Sequence, residues 1–167
     1  VTVREPLADA QSFKAFMSGF PTGVTIITTL DEHDEPHGFT CSSLCALSLE
    51  PPMLLVCVDN RSRTLAHICR RGAFAVNLLR DEGRGAAEVF SSPAVDRFAQ
   101  VRWKPTPRWA LPFLAEDAHA VSECRMVALH RAGDHTIVIG AVTEVIASGE
   151  NVVPLLRGLR TYRRWPV

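Results

Sequence analysis

The stretch Pro36-His37-Gly38-Phe39-Thr40-Cys41-Ser42-Ser43-Leu44-Cys45-Ala46-Leu47-Ser48-Leu49-Glu50-Pro51-Pro52-Met53-Leu54-Leu55-Val56-Cys57-Val58-Asp59 organises the chain. Thr40, Ser42, Ser43 and Ser48 lie between two apolar runs and offer hydroxyls and backbone amides without bulk. Small side chains admit a ligand close to the backbone, and hydroxyls bond phosphate oxygens, so the stretch suits a ligand with phosphates and a flat polar ring. Taken alone it also reads as an ordinary strand with a serine-rich exposed face. Residues 53–58 are apolar throughout and read as a strand buried on both faces.

On the N-terminal side, residues 24–30 are β-branched and read as a strand. The charged turn Asp31-Glu32-His33-Asp34-Glu35 leads into a second strand over residues 37–47, which returns antiparallel. Before them, Phe13, Phe16, Met17 and Phe20 recur at helical spacing behind Asp9, a candidate N-cap, and read as core packing. Residues 1–10 read as a loose arm. His33, His37 and Cys41 are spaced by four. In a strand that spacing separates them by about 13 Å, too far for one ion, so no metal site is expected.

On the C-terminal side, Ser62 is a candidate N-cap for a helix through Arg70. Arg61, Arg63 and that helix start form a candidate phosphate site. Residues 73–79 read as a further strand. Gly83-Arg84-Gly85-Ala86-Ala87-Glu88 nearly copies a dinucleotide fingerprint, but Glu88 stands where the third glycine belongs, so a Rossmann site is rejected. Pro105, Pro107 and Pro112 make residues 103–114 an irregular surface loop. Residues 118–130 and 136–146 are long β-rich runs, and Ala132-Gly133-Asp134 is the hairpin turn between them. Many strands, few helices and no β-α-β alternation argue for one domain over residues 1–167, an antiparallel barrel with short helices outside.

Composition limits the function classes. Eighteen Lys and Arg balance eighteen Asp and Glu, so no basic surface calls for nucleic acid or membrane. No apolar window reaches the length of a membrane span. The five cysteines are scattered, an odd number without metal-like pairing, and read as reduced thiols in a cytoplasmic protein.

Several motifs occur in an order that resembles the short-chain flavin reductase family, the reductase components of two-component flavin-dependent monooxygenases. They are Pro21-Thr22-Gly23-Val24-Thr25; Gly38-Phe39-Thr40 with Ser42-Ser43; Ser48-Leu49-Glu50-Pro51-Pro52; Phe74-Ala75-Val76-Asn77-Leu78-Leu79; Asp96-Arg97-Phe98; and Gly133-Asp134-His135. The resemblance runs over residues 13–162. It implies the FMN-binding split barrel, usually a homodimer, and hydride transfer from nicotinamide C4 (NADH or NADPH) to flavin N5 (FAD or FMN). Reduced flavin would then pass to a separate monooxygenase.

The resemblance further implies flavin contacts from His37, Gly38, Phe39, Thr40, Ser42, Ser43, Cys57, Val58, Asp59, Arg63, Thr64 and Phe90. It puts His135 at the nicotinamide–flavin site as the catalytic candidate. Tyr162, the only tyrosine, follows Pro154-Leu155-Leu156 and helps hold the dinucleotide, although Arg157-Gly158-Leu159-Arg160-Thr161 departs from the family's pattern there. Read from the residues alone, His135 is a turn histidine and Phe90 a core aromatic. Two rival readings are an FMN oxidase resembling pyridoxamine-phosphate oxidase and a non-catalytic flavin- or haem-binding module.

Overall fold

The structure, a computed structural model, describes residues 7–93, 95–147 and 152–165. Its elements in chain order are α1 (Ala10–Ser18), β1 (Thr22–Gly23), β2 (Thr25–Leu30), β3 (Pro36–Cys41), β4 (Cys45–Leu49), β5 (Pro52–Asp59), α2 (Arg63–Arg71), β6 (Ala73–Leu79), α3 (Arg84–Ser91), β7 (Lys104–Pro105), β8 (Pro112–Phe113), β9 (Ala118–Ala132), β10 (His135–Ala147), β11 (Leu155–Gly158) and β12 (Thr161–Arg164). Seven strands form one sheet in the order β3-β2-β6-β9-β10-β5-β4, with every neighbouring pair antiparallel. The edge strands β3 and β4 are consecutive in the chain, joined only by residues 42–44. Laid flat, seven strands would hold those edges about 29 Å apart. Three linking residues span about 14 Å at most. The sheet must therefore roll until its edges approach, and the seam at residues 42–44 is the split of the barrel.

The expected single strand over residues 37–47 is thus two strands broken at this seam. The strand buried on both faces is also not β5, where Val56 and Val58 are buried and Leu55 and Cys57 are half-exposed. It is β2, buried at all six positions, with β6 beside it. One face of this pair joins Ile27, Val56, Val58, Ile68, Phe74 and Val138 inside the barrel. The other joins Ile26, Ala75, Phe90, Leu111, Leu114 and Leu155. Both strands need cover on two sides because α3, β11 and residues 111–114 pack outside them.

Residues 103–114 are consequently not a surface loop throughout, since Thr106, Leu111, Phe113 and Leu114 are buried. Two buried polar side chains hold the segment. The Asn77 amide donates to the carbonyls of Ile26 and Pro112 and to the Thr28 hydroxyl, and its oxygen accepts from Leu114 N–H at 3.0 Å. Glu123, 1% exposed, accepts from the Thr106 hydroxyl, from Trp109 N–H at 2.8 Å and from Arg108 N–H at 3.3 Å. Buried donors that lose their acceptor cost more than the bond contributed.

The helix behind Asp9 forms as expected: the Asp9 carboxylate accepts from Gln11 and Ser12 N–H. Its aromatics are not core, however. Phe13, Phe16, Met17 and Phe20 are 58%, 76%, 43% and 64% exposed, because α1 buries no residue against the barrel. Of the expected arm, residues 1–6 lie outside the described residues, residues 7–9 precede the helix, and Ala10 is already helical.

Replacing Glu123 with Leu leaves the Thr106, Arg108 and Trp109 donors facing an apolar group. The expected loss is roughly 3 kcal/mol, read as a lower urea midpoint at unchanged slope. A midpoint equal to that of the parent would show that the segment is held by its apolar contacts alone.

Candidate active site

The start of α2 is open to an anion. Ser62 takes the N-cap position with no side-chain capping bond, and the first turn carries no acidic residue. The first N–H groups of the helix and its positive end therefore remain available. They border a cleft of about 410 Å³ lined by His37, Gly38, Arg61, Arg63, Thr64 and Arg97. Arg97 enters from the segment after α3. It donates to the Gly38 carbonyl at 2.9 Å and to the Ser92 carbonyl at 2.6 Å, and its buried Nε has no partner. Burial, and then Arg63 beside it, lower its pKa. An anion between the two guanidiniums would offset that repulsion and satisfy the orphaned donor.

Gly38 shapes the floor of this cleft. A Cβ there would lie 2.8 Å from the Ile27 carbonyl oxygen and 3.0 Å from the Phe90 ring. The glycine is needed for close approach, and Phe90 is what approaches.

The serine wall sits at the barrel seam. Ser43 Oγ donates to the Cys57 carbonyl and accepts from Cys57 N–H, both at 3.1 Å, so its side chain continues the β4–β5 ladder past the end of β4. Ser42, Ser43 and Leu44 line a second, larger cleft of about 770 Å³ together with Phe20, Arg157 and Arg160. Cys41, between the two clefts, is buried, and burial raises its pKa, so it remains a thiol and offers no nucleophile.

His135 opens β10 directly opposite Asp59, two residues along β5 from Cys57. Side chains two apart on a strand share a face. Cys57, Asp59 and His135 therefore point the same way, off the face that carries Val56 and Val58 inward. His135 Nδ1 lies 2.7 Å from an Asp134 oxygen. That contact orients the ring and, as the first cause, holds the Asp134 pKa below its ordinary value. Asp59 is held well below the carboxylate range by the Arg61 guanidinium, which it grips at 3.1 and 2.7 Å, and by Arg61 N–H at 2.8 Å. Asp59, the ladder partner of His135, thus also grips Arg61 at the anion-ready cleft.

Residues 17–166 match the flavin reductase-like domain family. The chain belongs to that family. It is 46% identical over 161 residues to a flavin reductase (NADH) of Kitasatospora aureofaciens, with 96% of this chain and 84% of the relative covered. It is 49% identical over 156 residues to a flavin reductase (NADPH) of Lentzea aerocolonigenes, with 93% and 90% covered. Among solved structures it resembles the Streptomyces globisporus C-1027 NADH:FAD oxidoreductase SgcE6 in complex with NAD and FAD fragments, at a TM-score of 0.88 and 30% identity, over 97% of this chain and 98% of that one. The split barrel of this flavin reductase-like chain is the fold of those neighbours.

The structure sorts the expected contacts. His37, Gly38, Arg63 and Thr64 line the polar cleft, Ser42 and Ser43 line the larger one, and Cys57 and Asp59 adjoin His135. Phe39 is half-buried against the barrel interior. Thr40 spends its hydroxyl proton on the Ala87 carbonyl at 2.7 Å. Two expectations need correcting. Phe90 is 1% exposed, packed edge-on to Phe98 and pressed under Gly38, so it supports the cleft from below and has no surface for a ligand. The Val58 side chain is fully buried and leaves only its backbone for contact. Tyr162 stands apart on β12, with the guanidiniums of Arg84 and Arg157 at 5.7 and 5.6 Å from its ring. It reaches the larger cleft only through its cross-strand partner Arg157. Arg97 was missed, since a cation inside a motif carries no mark of where it points.

Asp31 opens the turn between β2 and β3. Burial pushes its pKa up, yet the N–H groups of Glu35 and His33 and the His37 ring prevail and hold it at about 2. A carboxylate lowered on folding stabilises above its unfolded pKa, about 4, and loses that contribution as pH falls toward 2. The stability difference between the parent and Asp31→Asn should therefore be full at pH 5 and shrink toward pH 2 in urea unfolding. A pH-independent difference would show that the turn does not depend on the ionised carboxylate.

Proposed function

We propose that this chain is an NAD(P)H:flavin oxidoreductase, with nicotinamide and flavin meeting at the barrel seam beside Ser43, Asp59 and His135. The observation that carries this reading is a pair of clefts served by one short stretch of chain, Gly38 lining the first and Ser42 and Ser43 the second. One is polar and anion-ready at the α2 start; the other is large, serine-walled and backed by arginines. Bound flavin and nicotinamide would supply the hydride chemistry themselves, from C4 to N5, so the protein must position two rings and hold their phosphates. In this reading the α2 N-terminus, Arg63 and Arg97 hold a flavin phosphate, and Gly38 admits it. The Ser42–Ser43 backbone presents donors to the ring edge. Asp134 holds the His135 ring for contact with the reacting nicotinamide. The fit rests on the orphaned Arg97 Nε and the uncapped helix start, which both call for an anion.

We further propose a cytoplasmic enzyme of one domain that delivers reduced flavin to a separate monooxygenase. A reductase subunit HsaB of a flavin-dependent monooxygenase in Rhodococcus jostii, 39% identical over 137 residues, supports this. The free state of all five cysteines accords with a cytoplasmic setting. The enzyme is proposed as a homodimer: Leu55, Ile137 and Ile139 share a half-exposed apolar sheet face, and α1 exposes its aromatics. A second copy of this chain would cover both. Sedimentation at micromolar concentration should give twice the chain mass, and a monomer would remove the homodimer from the proposal.

The decisive assay is anaerobic NADH and NADPH oxidation with and without added FMN or FAD. Saturable oxidation that needs flavin is expected. Flavin binding without oxidation would favour the binding module instead. His135→Ala should lower hydride transfer at least about tenfold while flavin affinity holds. Arg63→Ala should instead weaken flavin binding. An unchanged rate for the first would remove His135 from the reaction, and an unchanged titration for the second would place the phosphate elsewhere.

A further inference from the structure

We infer that Asp31, His37 and His67 form a binding site for one divalent transition-metal ion of the zinc class. The three residues come from the β2–β3 turn, the second position of β3 and the middle of α2, and one donor atom of each lies within 4.8 Å of the other two. No spacing in the chain announces them. The turn brings Asp31 over β3, and α2 lays His67 flat against His37, with ring centroids 4.0 Å apart and planes 19° from parallel.

Three details separate this cluster from a chance gathering of polar groups. The Asp31 carboxylate is aimed: one oxygen accepts from His33 and Glu35 N–H at 2.8 and 3.0 Å, which turns the other toward His37 Nε2 at 3.2 Å. Outer hydrogen bonds of this kind orient metal ligands. The His67 ring is 14% exposed, and its Nδ1 is buried with no hydrogen-bond partner. The nearby Glu32 carboxylate, 4.0 Å from Nδ1, is held away by Arg70 at 2.8 Å. An orphaned imidazole nitrogen beside an ionised carboxylate and a second imidazole is a donor set in need of an acid, and the candidates are a proton or a metal ion.

Two imidazoles and one carboxylate suit zinc and its neighbours and leave a position open. Zinc–nitrogen bonds of about 2.0–2.1 Å bring donor atoms to about 3.4 Å from one another in a tetrahedron. The site must therefore contract by about an ångström, and the stacked rings must rotate apart so that both nitrogens point at the ion. His37 also lines the polar cleft, so the ion would sit at the rim of that cleft. The site uses neither His135 nor the serine wall, so its test is independent of reductase activity.

The test uses the full chain without a tag, stripped by chelator. Zn²⁺ is titrated by calorimetry and Co²⁺ by visible absorption. One equivalent is expected, with a dissociation constant of roughly a micromolar or lower. Cobalt bands should be those of a tetrahedral nitrogen and oxygen site, and Zn²⁺ should raise the thermal midpoint. His67→Gln and Asp31→Asn should each weaken binding at least about tenfold, while Cys45→Ser and Cys69→Ser leave it unchanged. A single cooperative thermal transition in chelator, expected at a lower midpoint for Asp31→Asn, establishes that each variant folds. If His67→Gln does not, His37→Gln takes its place. The inference is overturned by the absence of saturable binding, by undiminished affinity in the folded histidine variant, or by a thiolate-to-cobalt band that puts the ion on cysteine.

Discussion

The closing of the barrel across residues 42–44 is the constraint on which the rest of the structure depends. A three-residue link between the two edge strands forces the sheet to roll, and rolling leaves a seam where the ladder is incomplete. Ser43 fills that gap by bonding both polar groups of Cys57 through its side chain. A bulkier residue would fill the gap but block the seam, and a residue without a hydroxyl would leave the Cys57 donor and acceptor unpaired. The chemistry that makes the wall suitable for a ligand is thus the same chemistry that closes the fold. The larger cleft is lined by the seam residues themselves, and Cys57, two residues from Asp59, ties the seam to the strand that faces His135.

Rolling also places β2 and β6 between two apolar layers, and two buried polar side chains hold the outer one. Asn77, which sits in a recognisable motif, uses its amide to pin residues 112–114 over the sheet. Glu123 does the same for residues 106–109. These two groups are fully satisfied, in contrast to Arg97 Nε and His67 Nδ1, which are buried without partners. Where a buried polar atom is paired, its role is structural. Where one is orphaned beside a cleft or a cluster of donors, a missing ligand is the economical account.

Much of this was legible in the sequence, and the parts that were not have physical reasons. Periodicity gave β2, β6, β9, β10, α1 and α2, because alternation and caps are local properties. The order of motifs gave the split barrel and the family. Periodicity did not say what covers an apolar face. The aromatics of α1 are correctly helical and wrongly core, and the apolar run 53–58 in β5 is only half covered, because an apolar pattern does not say what packs against it. Phe90 was misplaced for a related reason: whether an aromatic touches a ligand or props up the wall behind it depends on Gly38, one strand away. Asp31, His37 and His67 converge only through tertiary packing, so spacing arguments had no access to them.

The balanced charge of the chain excludes a field over the whole surface, yet it does not exclude a local one. Charges beyond about 8 Å are screened at physiological salt, so what counts is which cations have their own counter-ions. Arg61 is bound to Asp59, Arg70 to Glu32, Arg71 to Asp34, Arg84 to Glu88 and Arg102 to Glu116. Among the described residues, Arg63 and Arg97 in the polar cleft and Arg157 and Arg160 in the larger one have no carboxylate partner. Arginines without a carboxylate partner therefore stand in both clefts, alongside Glu35 and Asp96 in the polar one. A neutral chain can in this way present two clefts with such arginines, the larger of them walled by hydroxyls. That distribution fits a ligand with charged phosphates at its ends and flat, weakly charged rings between them.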